Sequence, residues 1–243
     1  MEIKVGCCGF TISKSKYYEK LNLVEIQQTF YKLIEEKTLE KWRKEAPKNF
    51  EFTIKAFQGL THTTKSPTWK RSGFDKQEIK KIEKYVGELK INKVTLEFWN
   101  KMLNYAKILN SKIILLQLPN SFKDSEENVK RVKEFLKNVQ TKGINIAIEL
   151  RGWRDEKKKK IFEEFDVIDV VDININYPIV LRDLLYTRLH GKYENGKIIY
   201  NHEYSNKELK TIKNKIEKLN TKENYILFNN YYMFKNAIEF LNI

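Results

Sequence analysis

Ile113-Ile114-Leu115-Leu116-Gln117 is a short apolar run that ends on a polar residue, and Asn145-Ile146-Ala147-Ile148-Glu149 is another. Between them residues 126–139 carry apolar side chains at helical spacing, with Asp124 as a start signal before Glu126-Glu127. Two such runs joined through a helix read as neighbouring parallel strands. The same alternation extends in both directions. Strand-like runs cover residues 3–7, 23–29, 50–56, 113–117, 145–149, 167–172, 185–189 and 225–228. Amphipathic stretches cover 39–45, 76–89, 96–109, 126–139, 156–164, 207–219 and 232–241, the sixth behind the capping-box spacing Ser205-Asn206-Lys207-Glu208. Eight strands alternating with helices in this length predict an α/β fold, one TIM-like (β/α)8 barrel over residues 1–243.

Two irregularities stand out. Only residues 8–22 join the first two strands, close to the minimum for a parallel crossover, so the first helix is expected to be short or lost. Residues 57–95 after strand three hold an extra helix and the loop 62–73, with Pro67, Trp69, Lys70 and Arg71. Insertions after barrel strands sit over the active face, so this one is expected to be a lid.

Composition narrows the class. With 41% hydrophobic residues the 243-residue chain has enough apolar side chains for a core. A mean hydropathy of −0.59 and the lack of any apolar run of about 20 residues exclude a membrane span. The start Met1-Glu2-Ile3-Lys4-Val5 has no signal-peptide pattern, which points to a cytoplasmic protein. Cys7 and Cys8 are adjacent, so they are read as packed small residues and not as a disulfide framework. The net charge of +14 invites a nucleic-acid reading. However, 39 of the 46 basic residues are Lys, mainly on expected outer helices, in the manner of a thermophile's solvated surface.

The polar residues at strand ends are the candidate site, because barrel chemistry sits at the C-terminal ends of the strands. Glu25, Gln27 and Thr29 share one parity of strand two and are expected inside the barrel. Lys55 and then His62 follow strand three, Gln117 ends strand four, and Asp172 ends strand six. Glu149/Arg151 and Arg188/His190 are i,i+2 pairs, so each pair points one way, and Asn229-Asn230 closes strand eight. Arg is scarce here, and an Arg at a strand end suggests bidentate recognition of phosphate or carboxylate. Plainer readings stand beside these: Arg188 neutralising Glu25 or Glu149, His190 as a turn residue, His62 as a solvated loop residue, and His202 as structural. A divalent metal held by Glu25, Glu149, Asp172 and His190 stays open, although no tight ligand spacing supports it. No Walker or Rossmann motif occurs, and no nucleotide cofactor is expected.

These residues also resemble the YecE/YunF-like family catalogued as domain of unknown function 72. The matching stretches are Gly6-Cys7-Cys8-Gly9-Phe10, Val24 to Tyr31, Trp42 with Ala46-Pro47, Phe50 to Ala56 with Thr61-His62, and Leu116-Gln117-Leu118-Pro119. Ala147 to Arg151, Val171-Asp172, Arg188-Leu189-His190-Gly191 and Phe228-Asn229-Asn230 complete them in the family's order. The family pattern differs in having Trp at Phe10, Ser at Cys7 or Cys8, and Asn-Ser at Gln27-Gln28. The resemblance implies a TIM-like barrel and one shared site at the strand ends, without a settled reaction.

The leading functional expectation is a hydrolase-like enzyme acting on an anionic, phosphorylated or carboxylated small molecule. Glu149 and His190 would exchange protons and Asp172 would orient. Lys55, Arg151, Arg188, Gln117, Asn229, Asn230, Glu25 and His62 would bind. The alternatives are a nucleic-acid binder or nuclease, with Trp69-Lys70-Arg71 contacting the strand, and a non-catalytic ligand-sensing barrel.

Overall fold

The computed structural model describes all 243 residues. Ten strands form: β1 Glu2–Cys8, β2 Leu23–Ile26, β3 Glu51–Lys55, β4 Ile113–Gln117, β5 Asn145–Glu149, β6 Val167–Asp169, β7 Leu184–Leu189, β8 Lys192–Glu194, β9 Lys197–Ile199 and β10 Glu223–Phe228. Eight of them make one sheet in the order β6-β5-β4-β3-β2-β1-β10-β7, and β8 and β9 form a separate hairpin. That order follows the chain from β1 to β6 and brings the last strand back beside the first, with helices in the crossovers. This is the TIM-like (β/α)8 barrel expected from the alternation. The hairpin turns on Asn195 and Gly196, both at positive φ, the backbone that a two-residue hairpin needs.

The chain groups into two compact units: Met1–Glu25 with Glu45–Phe52 and Ile168–Ile243, and Ile26–Lys44 with Thr53–Val167. In the first, β1 pairs in parallel with β10, Val5 opposite Ile226 and Cys7 opposite Phe228, and β10 pairs with β7, Leu227 opposite Arg188. One parity of these strands carries apolar side chains, among them Val5, Cys7, Ile226, Phe228, Leu185 and Leu189, all fully buried or nearly so. The other parity carries Lys4, Tyr186, Arg188 and Tyr225, also buried. Lys4 donates to Glu223 at 2.8 Å and to the Tyr225 hydroxyl at 3.2 Å, and lies 3.3 Å from Glu51. Burial works to discharge this amine, but the bonds to Glu223 and Tyr225 outweigh it and hold it above the usual lysine range. Gly6 lies so close to β2 that a Cβ there would sit 1.9 Å from the Leu23 carbonyl oxygen. Beyond β6, Val171 forms a parallel bridge to Thr187, and the Arg188 N–H donates to the Val171 carbonyl at 2.9 Å.

The first crossover keeps a seven-residue helix, Lys14–Lys20. Its anchor is Tyr17, fully buried, whose hydroxyl accepts from the Cys7 N–H at 2.8 Å and donates to the Leu23 carbonyl at 2.9 Å. One phenol thereby ties helix to both strands. Tyr17→Phe leaves that N–H and carbonyl buried without the hydroxyl, so it is expected to cost about 2 kcal/mol in urea unfolding. An unchanged midpoint would refute this role.

In the second unit β4 pairs with β5 from Ile113 opposite Asn145 to Gln117 opposite Glu149. The helix Glu126–Asn138 buries Val129, Val132 and Phe135, and the helix Lys93–Leu109 buries Phe98, Trp99, Met102 and Tyr105 among others. The insertion after β3 folds into the turn Gln58–Thr61, the 3-10 helix Pro67–Arg71 and the helix Lys76–Ile82.

Three local expectations are corrected. Strand two stops at Ile26, and Gln28–Tyr31 is a helical turn. The reason is Thr29, whose hydroxyl is within hydrogen-bond distance of the Ile26 and Lys55 carbonyls, at 2.9 and 2.7 Å. The helix expected over 76–89 ends at Ile82, because Gly87 and Leu89 donate their N–H groups to Gly59 and Leu60. A Cβ at Gly87, φ 81°, would lie 2.6 Å from the Thr63 nitrogen. Ser125, not Asp124, caps the helix Glu126–Asn138, and Asp124 binds Arg154 at 2.6 Å instead. No helix is long and apolar enough to cross a membrane.

Candidate functional site

The candidate residues form one set in each unit. In the first unit Glu25 and Arg188 are completely enclosed: Arg188 Nη2 donates to Glu25 Oε1 at 3.0 Å and the Tyr186 hydroxyl to Oε2 at 2.7 Å. The plainer reading of Arg188, neutralisation of Glu25, is thus what the geometry displays. Period-two spacing puts Tyr186 and Arg188 on one side of β7, so Tyr186 was readable as their companion but was missed. Cys8 lies against this pair, and burial together with the Glu25 charge pushes its thiol well up. Burial raises Cys7 to about 12, against the bond from Tyr17. Both cysteines are buried and free, and both stay protonated at neutral pH.

Just beyond β7, His190 is 2% exposed. Asp172 Oδ2 accepts from its backbone N–H at 3.0 Å and stands 3.4 Å from its Nδ1, while Oδ1 accepts from the Asn174 N–H. The carboxylate therefore fixes the Nδ1 side of the imidazole, and the Tyr200 ring packs edge-on at 6.1 Å. The next residue, Gly191, sits at φ 104°, where a Cβ would come 2.4 Å from the Ile199 carbonyl oxygen. The Tyr204 hydroxyl grips Gly191 twice, accepting from its N–H at 2.8 Å and donating to its carbonyl at 2.9 Å. Nothing in the local pattern announces Tyr204, because its partner is 13 residues away. Asn230 is buried at the end of β10, donating to the His202 carbonyl and to Asn236, and its Oδ1 has no hydrogen-bond partner. Asn229 is half-buried beside it. His202 lies 2.9 Å from Glu208, the structural place expected of it.

In the second unit Arg151 donates through Nε to Glu149 at 2.5 Å, so the carboxylate aims the guanidinium. Gln117, level with Glu149 on the neighbouring strand, donates to the Leu118 carbonyl at 2.6 Å. Lys55 is buried with its ammonium 4.1 Å above the Phe30 ring, and the His62 ring packs edge-on against the same phenyl at 5.0 Å. Burial lowers His62 to about 3, and the positive charges of Lys55 and Arg151 push it the same way. His62 is a neutral imidazole at neutral pH, enclosed and not solvated. Its neighbour Thr61 shares a 2.7 Å contact with Nδ1. Trp69, expected to offer its face on a lid, is buried, with Nε1 donating to the His62 carbonyl at 3.2 Å. It has no face left for stacking on a ligand.

No group of three or more His, Cys, Asp and Glu side chains is arranged to hold a metal ion. Several outer-helix lysines are matched with acids: Lys133 and Lys137 with Glu164, Lys157 with Glu126, Lys159 with Glu163, and Lys130 with Glu134.

Comparison with curated proteins finds no match. Among solved structures, a DUF72 family protein from Thermotoga maritima superposes with a TM-score of 0.69 at 22% identity, covering 100% of this chain and 98% of that one. A xylose isomerase domain protein from Planctomyces limnophilus gives 0.61 at 12% identity, covering 99% and 96%. Endonuclease IV from Thermus thermophilus gives 0.52 at 9% identity, covering 100% and 99%. At these identities the likeness shows the fold. The sequence profile is more specific: that of the family described as protein of unknown function DUF72 matches residues 14–241. The chain belongs to the DUF72 family.

Proposed function

We propose that the protein is an enzyme, hydrolase-like in its chemistry, that exchanges protons with an anionic substrate bearing phosphate or carboxylate at the C-terminal ends of its strands. The observation that carries the reading is the enclosed His190–Asp172 pair. A carboxylate that holds one side of an imidazole sets its orientation and leaves Nε2 to take or give a proton. The substrate class is supported by the second unit, where Lys55 and Arg151 both bear on the neutral His62 ring. Burial, the larger cause of that ring's lowered pKa, disfavours charge of either sign, whereas the field of the two cations favours a negative ligand. Lys55 and Arg151 bind the anion, Glu149 aims Arg151, and His62 and Gln117 donate hydrogen bonds. In the first unit Asn229 and Asn230 offer amides, and the Glu25–Arg188 pair braces the strand that bears His190.

The test is thermal unfolding with a panel of phosphorylated and carboxylated metabolites, followed by turnover of those that stabilise. Lys55→Met is expected to abolish the stabilisation. His190→Asn is expected to keep it and to lower turnover by about 10²–10⁴-fold, the usual contribution of a general acid–base. Stabilisation that survives Lys55→Met, or turnover that survives His190→Asn, overturns the assignment. Stabilisation without turnover of any ligand favours the sensing barrel.

A further inference from the structure

Arg71 ends the 3-10 helix of the insertion, exposed, with its guanidinium carbon 3.5 Å from the centroid of the Tyr31 ring. No carboxylate lies within ion-pair distance of it. This differs from Arg131, Arg151, Arg154 and Arg188, each bound to an acid. Stacking fixes the plane of a guanidinium while leaving its N–H edges open, which is the geometry that recognises an oxyanion.

The loop invests its interior in this placement. Gln58 is fully buried and bridges the two sides: its Nε2 donates to the Tyr31 carbonyl at 2.7 Å and to the Thr68 carbonyl at 3.3 Å, and its Oε1 accepts from the Thr68 hydroxyl at 2.6 Å. Ser66 caps the 3-10 helix, and Trp69 is buried against the His62 carbonyl. Every amide atom of Gln58 thus serves to hold Pro67–Arg71 over Tyr31. Tyr31 in turn packs on Phe30 at 5.1 Å, and Phe30 is the ring that carries Lys55 and His62. Arg71 is connected to the cationic set through one continuous row of aromatic contacts, yet stands apart from it on a separate ring.

We propose that Arg71, stacked on Tyr31, is a second anion-binding element beside Lys55, His62 and Arg151, so that the ligand carries two separated anionic groups. The chemistry is that of a bis-phosphorylated or phospho-carboxylated compound, or of consecutive phosphates of a polynucleotide strand. This rests on the anion-binding role given above to Lys55 and Arg151.

The experiment titrates the full chain, wild type and Arg71→Gln, with methylphosphonate, propane-1,3-bisphosphonate and a thymidine octanucleotide. Wild type is expected to bind the bisphosphonate about 10-fold or more tightly than methylphosphonate, the worth of a charge-assisted pair of hydrogen bonds. In Arg71→Gln the preference falls to near unity, methylphosphonate affinity holds, and the unfolding midpoint is unchanged. Arg71→Lys, which keeps the charge and loses the planar fork, falls between. A preference that persists in Arg71→Gln overturns the proposal and leaves the Lys55–Arg151 reading intact. Failure of both phosphonates to bind wild type overturns that reading and the proposal with it. If the octanucleotide binds more tightly than the bisphosphonate, with steep salt dependence and loss in Arg71→Gln, the two anions belong to a strand. If only the bisphosphonate binds, they belong to a free small molecule.

Discussion

Arg188→Met is expected to destabilise the protein by about 3–5 kcal/mol in urea unfolding, the range for removing one partner of an enclosed ion pair. The side chains of Arg188 and Glu25 are 1% and 0% exposed, so water cannot take over the guanidinium's part. The Tyr186 hydroxyl supplies Glu25 with one neutral donor where a cation stood 3.0 Å away. Replacing both members tests the cause. Glu25→Leu with Arg188→Met removes the uncompensated charge and is expected to recover most of the loss, because apolar substitutes for buried pairs are often neutral. A single variant within about 1 kcal/mol of wild type would mean that the pair contributes no more than an exposed one.

Acid is expected to unfold the protein partly through His62. In the unfolded chain this imidazole binds a proton near 6.5, and in the folded chain not until about 3. Between those limits the unfolded state holds the extra proton, so stability falls as the pH falls through the window. The contribution approaches about 1.4 kcal/mol per pH unit. His62→Gln keeps a hydrogen-bonding side chain and removes the titration. Its stability relative to wild type is therefore expected to improve by about 2–3 kcal/mol between pH 7 and pH 4, read from urea midpoints at the two pH values. Parallel pH dependences would show that His62 titrates alike in the folded and unfolded protein, and that its burial and the field of Lys55 and Arg151 are weaker than described.

The architecture was largely legible because alternation of strand and helix is a local property. Each strand run, including the return of residues 225–228, overlaps a strand that formed, although strand six stops at Asp169 and leaves Asp172 in the segment beyond it. The i,i+2 pair Glu149–Arg151 was legible for the same reason and meets in the structure, whereas Arg188 binds Glu25 and His190 binds Asp172. Strand two shows the limit. Glu25, Gln27 and Thr29 alternate as a strand would, but a threonine hydroxyl that reaches two carbonyls outcompetes the ladder. The insertion 57–95, with its loop 62–73, was read as a lid from its place after a barrel strand. What holds its 3-10 helix is the indole of Trp69 on the His62 carbonyl and the amide of Gln58, which ties Thr68 to the Tyr31 carbonyl 27 positions back in the chain. Arg71 was legible as a charge, and its stack on Tyr31 was not, since residues 40 positions apart leave no mutual trace in a single sequence.

The ammonium of Lys4 reaches a carboxylate 219 positions further along the chain. Residues 2–8 are synthesised well before residues 223–228, and their ladder cannot form until the residues between them have been made. One edge of β1 therefore waits, unpaired, until β10 has been made. Closing a loop of that span is among the slowest contacts a chain of this size makes. The waiting strand carries a charge at Lys4, a feature that discourages premature pairing with another chain. The lysine that stabilises the finished ladder also guards the strand before its partner arrives.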